Sequence, residues 1–417
     1  MNILIIDQYA GSPSLGMEFR PYYLARHWQR MGHIVTVITG GYSHLRRVNP
    51  AAPKNFAPRR IDGVDFLIVK TPPYNGNGFD RAVNILTFLT AVTMNSAKLA
   101  KTRRPDLVIA SSTYPMDIFP ASLIAKKSGG RLVWEIHDIY PDSLSLNSFG
   151  RLQEKLIGGI MERAVAYACK KADGIVSILS HAAEFFKTRP YGEAAIPKLR
   201  YIPNGIEEEE QREPSEYCKA LIEEVKELKR QKRFTVMYLG GFAAANALDE
   251  FVWAAEMTET AAFLLVGNGW DRARLKKLAE KEKLCGAGAE RQKVYFFDGV
   301  DKWDVPHLLA AADCLYIGAK EEPIYRYGVG MNKLYDYMLA ARPIICGINA
   351  PFNVVKESGC GVVIPPQNSA EIAKAVGLLS KLPEHFLAQM GRKGREYVLK
   401  NNTYQILAQK FLAGMEQ

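Results

Sequence analysis

Short apolar runs alternate with helix-like stretches along nearly the whole chain, and this alternation limits the possible fold more than any other feature. The first example has an apolar run at 2–7, a helical stretch at 22–31 and a second apolar run at 34–39. Gly32 follows the helical stretch, where a glycine commonly ends a helix. A strand, a helix and a strand at this spacing predict a βαβ unit, and therefore a parallel sheet covered by helices.

The alternation continues and then restarts after a charged stretch at 207–233. We predict further strands at 64–69, 107–110, 132–136, 174–178 and 199–202, and after the charged stretch at 234–239, 262–266, 295–297, 314–317, 344–346 and 361–364. Two such series in a chain of 417 residues predict two doubly wound α/β domains. We place these domains at 1–205 and 206–387, and we expect the helical segment 388–417 to pack back on the first domain.

The basic charge is concentrated in the first half of the chain. The first 205 residues carry 26 basic and 15 acidic side chains, out of 54 and 44 in all, so the remainder is nearly neutral. A basic domain favours an anionic partner such as nucleic acid, acidic lipid or a phosphorylated substrate. No nucleic-acid-binding module is recognisable, so we expect no nucleic acid partner.

Signals for targeting and for metal binding are weak. The apolar run at 3–6 is too short for a signal core, and the longest uncharged stretch, 82–97, is polar in places and too short for a spanning helix, which needs about 20 apolar residues. The six cysteines form no C-x-x-C pair and lie near no histidine at metal-ligand spacing. We therefore expect a cytosolic protein with reduced, mostly buried cysteines, no metal and no cofactor.

The strongest candidate for chemistry is a glycine-rich segment that leads into a predicted helix. Helix N-termini bind phosphate because their first backbone N–H groups are unpaired and the helix dipole is positive there. Gly328 and Gly330 would let the backbone approach an anion, and Lys333 would add a positive charge in the first turn. Asp336 would accept hydrogen bonds from ribose hydroxyls. The alternative is a turn into a core helix, with Lys333 and Asp336 as a solvated pair.

Two loops of the first domain are further candidates. The loop at 11–20 follows the first strand, so Gly16 would let it touch a diphosphate and Arg20 would hold anionic charge. It lacks the G-x-G-x-x-G pattern, which argues against an NAD site. The second loop follows the strand at 132–136, where His137 and Asp138 are placed to orient or exchange protons. A surface loop and a structural loop cap are the respective alternatives.

Two loops of the second domain and one helix of the first complete the set. Residues 240–246 join a strand to a helix and either pass close to a phosphate or form a simple tight turn. Residues 298–300 would offer backbone contacts to a flat base. The predicted helix at 81–104 ends in four basic residues and either lies on an acidic membrane surface or is a half-buried helix with a solvated end.

Taken together, these segments resemble the retaining glycosyltransferases of family 4, which have the GT-B fold. The resemblance rests on the opening strand and glycine loop, on Gly32-His33-x-Val35, on Pro203-Asn204-Gly205, on Gly267-Asn268-Gly269 and on Asp298-Gly299. Residues 8–11, 42–44, 137–143 and 332–334 are similar to bacterial O-antigen and capsule transferases, including N-acetylfucosamine transferases.

The resemblance implies two Rossmann-like domains facing a central cleft and a retaining, metal-independent sugar transfer. It implies a nucleotide diphosphate donor, with uridine favoured, and a polyprenyl-diphosphate-linked saccharide acceptor at the inner face of the cell membrane. His137 matches the acceptor-side histidine of the family, and Asp138 is its rival for that role.

The sequence departs from the usual motifs of the family at two places. The second glutamate of the Glu-x7-Glu signature matches Asp336, but the first falls on Gly328, and the usual arginine and lysine fall on the non-basic stretch 242–246. Lys333 is therefore the expected main cation. The predicted catalytic residues are His137, Asp138 and Lys333, and the predicted substrate-binding residues are Gly16, Arg20, Gly241, Asn246, Gly267, Val300, Arg326, Gly328, Gly330, Met331, Asn332, Leu334 and Asp336. A GT-B nucleotide-sugar epimerase and a non-catalytic glycosyltransferase-like subunit remain alternatives.

Overall fold

The computed structural model describes residues 1–44, 46–76, 78–143, 151–208 and 212–415, with only the backbone described at 151–154. The chain divides into two compact units. The first comprises Met1–Glu207, Tyr327–Gly330 and Tyr404–Gln417, and the second comprises Glu208–Arg326 and Met331–Thr403. The division near 207 lies close to the predicted 205. The return to the first unit begins at Tyr404, so the predicted start at 388 was too early.

The first unit is built on an eight-stranded sheet in the order β3-β4-β2-β1-β5-β6-β7-β8. All neighbouring strands are parallel except β3, which pairs antiparallel with β4 at the edge. The strands are β1 (Asn2–Ile6), β2 (Ile34–Gly40), β3 (Ala57–Ile61), β4 (Val64–Val69), β5 (Leu107–Ala110), β6 (Arg131–Ile136), β7 (Gly174–Ser177) and β8 (Leu199–Tyr201).

Helices connect these strands. They are α1 (Arg20–Arg30), α2 (Phe79–Met94), α3 (Ser96–Arg103), α4 (Ile118–Ser128), α5 (Arg151–Lys171), α6 (Ala182–Lys187) and α7 (Gly192–Ala195). The chain moves from β1 toward β2 through α1, and it moves in the opposite direction, from β4 across to β8, through α2 to α7. Because crossovers between parallel strands are right-handed, α1 lies on one face of the sheet and α2 to α7 lie on the other.

The final helix, α16 (Tyr404–Ala413), covers the α1 face of the first unit. Trp28 on α1 is fully buried, its ring lies 5.2 Å from that of Phe411, and its indole N–H donates to the Ala408 carbonyl at 3.0 Å. Tyr23 stacks on Tyr404 at 4.8 Å. The prediction that a terminal helix packs on the first domain is therefore confirmed.

The second unit has a six-stranded, fully parallel sheet in the order β11-β10-β9-β12-β13-β14. Its strands are β9 (Phe234–Leu239), β10 (Ala261–Val266), β11 (Val294–Phe297), β12 (Cys314–Gly318), β13 (Ile344–Gly347) and β14 (Gly361–Val363). Its helices are α8 (Glu216–Arg230), α9 (Leu248–Glu256), α10 (Arg272–Lys281), α11 (Val305–Ala311), α12 (Asn332–Leu339), α13 (Val354–Ser358), α14 (Ser369–Leu379) and α15 (Glu384–Asn401).

Local sequence explains where several of these helices begin and end. The Ser215 hydroxyl caps α8 by accepting from the Cys218 N–H, and the Asn368 side chain caps α14 by accepting from the Glu371 N–H. Gly129 ends α4 in the left-handed region. Together with the parallel sheets, these elements confirm the predicted fold class of two doubly wound α/β domains.

Three local predictions were wrong. The strand β3 was missed because its sequence, Ala-Pro-Arg-Arg-Ile, has a proline and two arginines and lies exposed at the sheet edge. The single helix predicted at 81–104 is broken at Asn95, whose side-chain amide donates to the Ala91 carbonyl. The terminal helical segment, predicted to start at 388, starts at Glu384 and consists of two helices, α15 and α16. No helix in the described ranges is long and apolar enough to cross a membrane.

Candidate active site

In open parallel sheets, ligands bind beyond the carboxyl ends of the strands where the strand order reverses. This point lies between β1 and β5 in the first unit and between β9 and β12 in the second. The predicted residues lie at both points, each within its own unit.

In the first unit, Glu135 on β6 is the centre of a buried polar cluster. Its carboxylate accepts from the Arg20 guanidinium at 2.9 Å and from the Ser111 hydroxyl at 2.5 Å. Glu135 and Arg20 are only 2% and 1% exposed. Burial alone would raise the pKa of Glu135. The charge of Arg20, followed by the contacts with His137 and Ser111, outweighs burial and holds the pKa of Glu135 well below its usual range.

Arg20 is held by protein groups, and its role in binding an anion stays a prediction. Besides Glu135, its guanidinium donates to the backbone carbonyls of Pro203 at 2.6 Å and Ile202 at 3.0 Å. A buried arginine with these partners stabilises the strand-to-loop junction and offers little surface to a ligand.

His137 lies directly beyond β6, beside Glu135. Its Nε2 is 3.4 Å from the Glu135 carboxylate and 3.2 Å from the Ser111 hydroxyl. Burial alone would lower the pKa of His137, but the hydrogen bond and charge of Glu135 outweigh it and raise the pKa to about 8. Its Nδ1 has no hydrogen-bond partner in the part of the chain that the structure describes. At neutral pH the imidazolium can therefore donate a hydrogen bond from Nδ1 to a ligand.

Two further carboxyl groups, which the sequence reasoning missed, lie at the same strand edge. Asp7 follows β1 and Asp117 lies in the connection after β5, and both are almost completely buried. Burial raises the pKa of Asp7 to about 7 and that of Asp117 to about 8. Asp7 Oδ2 and Asp117 Oδ1 each have no hydrogen-bond partner among the described residues. The available signal for Asp7 was its position immediately after a buried strand.

The other predicted residues of the first unit have different environments. Asp138 is exposed next to His137, so its role stays a prediction. Gly16 has φ = +104°, and a Cβ there would lie 2.8 Å from the Arg47 backbone nitrogen. The loop is thus a tight turn packed on the Arg46–Arg47 segment, and this packing accounts for the glycine without a diphosphate.

The segment Tyr327–Gly330 packs within the first unit. The Tyr327 carbonyl accepts from the His181 N–H at 2.9 Å, and the Gly330 carbonyl accepts from the Asn204 side chain at 2.8 Å. A Cβ on Gly328 would meet the Ser180 nitrogen at 2.7 Å, and one on Gly330 would meet the Ile178 side chain at 2.6 Å. The two glycines therefore allow close packing against residues 178–180, and their contact with an anion stays a prediction.

In the second unit, Lys333 occupies the first turn of α12 and points to the loop after β9. Its ammonium donates to the Tyr238 hydroxyl at 2.9 Å and to the Asn246 side-chain oxygen at 2.6 Å. Both acceptors are neutral, and no carboxylate in the described ranges forms an ion pair with it. Burial lowers the pKa of Lys333 to about 7. A half-buried cation without an anionic partner, at a helix N-terminus, is a site for an anionic ligand.

Two glycines shape the loop next to Lys333. Gly267 follows β10 with φ = +144°, and a Cβ there would lie 2.0 Å from the Gly240 carbonyl oxygen, so any other residue would separate the two loops. Around Gly241 the space is open, and its carbonyl accepts from Asn246 at 2.9 Å. The Gly241 N–H has no hydrogen-bond partner among the described residues. It is therefore available to a phosphate oxygen.

Asp336 does not pair with Lys333. Asp336 lies one turn after Lys333 on α12, and its carboxylate accepts from the Lys302 ammonium at 2.7 and 2.8 Å. The alternative of a solvated Lys333–Asp336 pair is therefore wrong, and Lys302 is a residue that the sequence reasoning missed. Lys302 is only half-buried, as is Asp336, so the pair remains reachable by a polar ligand.

The remaining predicted residues lie around the start of α12 or in neighbouring loops. Met331 is the N-cap, and Leu334 is buried in the first turns. The side-chain oxygen of Asn332 is buried without a hydrogen-bond partner among the described residues. Arg326 is exposed in the turn Pro323–Tyr327, and Val300 is half-buried after β11. Their contact with a substrate stays a prediction.

The model of Glycosyltransferase Family 4 matches residues 16–210, and that of Glycosyl transferases group 1 matches residues 233–381. One model lies almost entirely within the first unit and the other within the second, and both are models of glycosyltransferases, so the chain is a glycosyltransferase.

Known proteins similar to this chain include several glycosyltransferases. Alpha-D-kanosaminyltransferase of Streptomyces kanamyceticus is 23% identical over 245 residues, which is 56% of this chain and 58% of that protein. The match thus spans little more than half of that relative.

Similar solved structures have TM-scores well above 0.5. Sucrose-phosphate synthase of Thermosynechococcus elongatus has a TM-score of 0.73 at 15% identity and 99% and 98% coverage of the two chains. Anabaena HepE in complex with UDP and glucose has a TM-score of 0.65 at 15% identity, with full coverage of both chains. WaaG, a glycosyltransferase involved in lipopolysaccharide biosynthesis, has a TM-score of 0.65 at 16% identity, with 98% coverage of each chain. At these identities the likeness establishes the shared GT-B fold.

Proposed function

We propose that this glycosyltransferase transfers a sugar, an N-acetylated hexose or deoxyhexose, from a UDP donor to a polyprenyl-diphosphate-linked saccharide in cell-surface polysaccharide synthesis. The observation that carries the donor part is the environment of Lys333. Its ammonium has only neutral partners, beside the Gly241 N–H and the start of α12. These three groups together suit a diphosphate better than they suit any neutral ligand.

In this proposal Lys333 stabilises the negative charge that develops on the leaving diphosphate. The Gly241 N–H and the N-terminal turn of α12 add donors that are already oriented, so little reorganisation accompanies the reaction. The Asp336 carboxylate, held by Lys302, accepts from the ribose hydroxyls. Structures of HepE in complex with UDP and glucose and with UDP-glucose support a uridine donor, because HepE has a similar fold.

The first unit would receive the acceptor. His137 donates from Nδ1 to a hydroxyl of the sugar or acceptor, while Glu135 keeps the imidazole charged and oriented. The leaving diphosphate takes the proton of the attacking hydroxyl on the same face of the sugar, so the anomeric configuration is retained and no metal is needed. The basic first half of the chain suits an anionic diphosphate-linked acceptor at the inner face of the cell membrane.

Replacement of Lys333 tests the proposal. Lys333→Ala should lower turnover of a UDP-sugar at least about 100-fold, which is the scale of one lost charge-stabilising donor. The matched control is Lys356→Ala, because Lys356 is an exposed lysine of the same unit. Near-normal turnover in Lys333→Ala would contradict the assignment.

Two other functions make different predictions. A nucleotide-sugar epimerase would convert its donor without any acceptor, and the buried Asp7 and Asp117 carboxyl groups are the observation that favours it. Product analysis in the absence of acceptor distinguishes it. A non-catalytic subunit would bind neither uridine nor guanosine diphosphate, which titration calorimetry measures.

A further inference from the structure

The helices α2, α3, α4 and α5 lie side by side on one face of the first unit, and their outward residues form the surface that we call the α2–α5 face. Within this layer α3 and α2 pack on α4, and α4 packs on α5. From this face we infer a docking surface for an acidic lipid bilayer, which the first unit contacts with an apolar band and a basic band. The inference deepens the proposed function by assigning the surface that brings the protein to a lipid-linked acceptor.

On α4 and α5 the apolar band occupies the N-terminal halves, whereas on α2 it runs along the whole helix. Of the 21 large apolar side chains that are exposed in the described chain, eight lie on α2, α4 and α5. On α2 they recur along one stripe at intervals of three to eight residues. The eight are Phe79, Val83, Leu86, Met94, Phe119, Leu123, Leu156 and Ile160. The exposed fractions of Phe79, Leu86 and Met94 are 81%, 65% and 80%, so this stripe covers no part of the protein core.

The basic band lies on α3 with its C-cap and on the C-terminal halves of α4 and α5. Nine exposed lysine and arginine side chains form it: Lys98, Lys101, Arg103, Arg104, Lys126, Lys127, Arg163, Lys170 and Lys171. None of the nine forms an ion pair with a carboxylate of the described residues. On α4 the two bands share one helix face, because Phe119, Leu123, Lys126 and Lys127 follow at four- and three-residue steps.

The exposed charges of α8 differ from those of the α2–α5 face because they are paired within the helix. On α8 of the second unit, Lys219, Lys226 and Arg230 pair with glutamates three residues earlier. Such internal pairing needs no external partner. The α2–α5 face instead combines uncovered apolar side chains with unpaired positive charge, which is the pattern of surfaces that bind acidic lipid headgroups and insert side chains just below them.

The order of the two bands also suits the chemistry. The helices α2, α4 and α5 each follow a parallel strand and run back along the sheet, so their N-terminal ends lie near the carboxyl edge of the strands. The apolar residues of α4 and α5 and the first ones of α2 are therefore on the same side of the sheet as Asp7 and His137, whereas Met94 and the basic band lie toward the opposite side. A bilayer on the α2–α5 face would lie next to the edge at which we place the acceptor.

Vesicle sedimentation with the full chain tests this inference. We expect the protein to sediment with vesicles of phosphatidylcholine and phosphatidylglycerol, and to bind at least about tenfold less to phosphatidylcholine alone, because each basic residue near an acidic surface contributes about 1 kcal/mol. Binding should weaken as salt is raised. Equal binding to both vesicle types, or to neither, would overturn it, and the latter result would make the face a protein contact.

Paired variants test the two bands. Lys126→Glu with Lys127→Glu should weaken binding to acidic vesicles at least about tenfold, whereas the matched charge change Lys219→Glu with Lys226→Glu on α8 should not.

Serine replacements test the apolar band in the same way. Leu86→Ser with Met94→Ser should weaken binding about tenfold or more, since burying one such side chain contributes about 1.5–3 kcal/mol. The control is Leu378→Ser, because Leu378 is an exposed leucine of the second unit. All these residues are exposed, so we expect thermal melting to be unchanged. Equal loss in test and control variants would overturn the inference, and UDP binding, measured separately, reports on the proposed function alone.

Discussion

Binding of uridine diphosphate should draw a proton onto Lys333. Burial against two neutral acceptors lowers the pKa of this lysine to about 7, whereas an unperturbed lysine titrates near about 10.4. Roughly half of the molecules therefore carry an uncharged Lys333 at pH 7, and roughly nine-tenths do at pH 8. A diphosphate beside the amine restores its charge, so binding should take up about 0.5 proton at pH 7 and about 0.9 at pH 8.

Titration calorimetry in two buffers of different ionisation enthalpy measures this uptake. The observed enthalpy changes with the buffer in proportion to the number of protons bound. The diphosphate has its own titration near about pH 6, so the relevant quantity is the difference between the wild type and Lys333→Met. That difference should grow from pH 6 to pH 8. Equal proton uptake by the two proteins at pH 8 would refute the reasoning.

The same lowered pKa predicts a gain in stability when the charge is removed. Between about pH 7 and pH 10 the unfolded chain holds the lysine proton more tightly than the native protein does, so the lysine destabilises the fold below its unfolded pKa. Lys333→Met should therefore melt at a higher temperature than the wild type at pH 7 while losing UDP affinity. A lower melting temperature would show that the ammonium is stabilised by its neighbours.

Two substitutions test the packing of the first unit by urea unfolding. Glu135→Gln leaves the buried charge of Arg20 without its carboxylate and should cost about 3–5 kcal/mol. Asp65→Asn, in an exposed pair, should cost under about 1 kcal/mol, and equal costs would contradict the role given to burial. Phe411→Ala empties the space beside Trp28 and should cost about 3–5 kcal/mol. A cost below about 1 kcal/mol would mean that α16 contributes little to the core.

The fold was largely predictable because its strands are buried on both faces. A parallel strand covered by helices reads as a continuous apolar run, as residues 3–6 and 261–266 do. The edge strand β3 has no such run, since it is exposed and rich in charge. The break at Asn95 was missed because a helix can end through one local hydrogen bond without any change in apolar period.

The candidate site was only partly predictable, because sequence shows which residues are polar and not which partners they meet. Lys333 was identified from its place at a helix start, and the structure adds that Tyr238 and Asn246 surround it. The partner of Arg20, Glu135, could not be predicted because it lies 115 residues away in the chain. The packing of Gly328 could not be predicted because a glycine needed for packing and one needed for a ligand look the same in sequence.

Product analysis is the measurement that tests the central claim most directly. The protein is incubated with a UDP-sugar and a polyprenyl-diphosphate-linked saccharide, and the products are analysed by mass spectrometry and by NMR of the new anomeric centre. We predict UDP release, a lipid-linked product heavier by one glycosyl unit, and a new bond of the same anomeric configuration as the donor. An epimerised donor without UDP release, or an inverted linkage, would contradict the account.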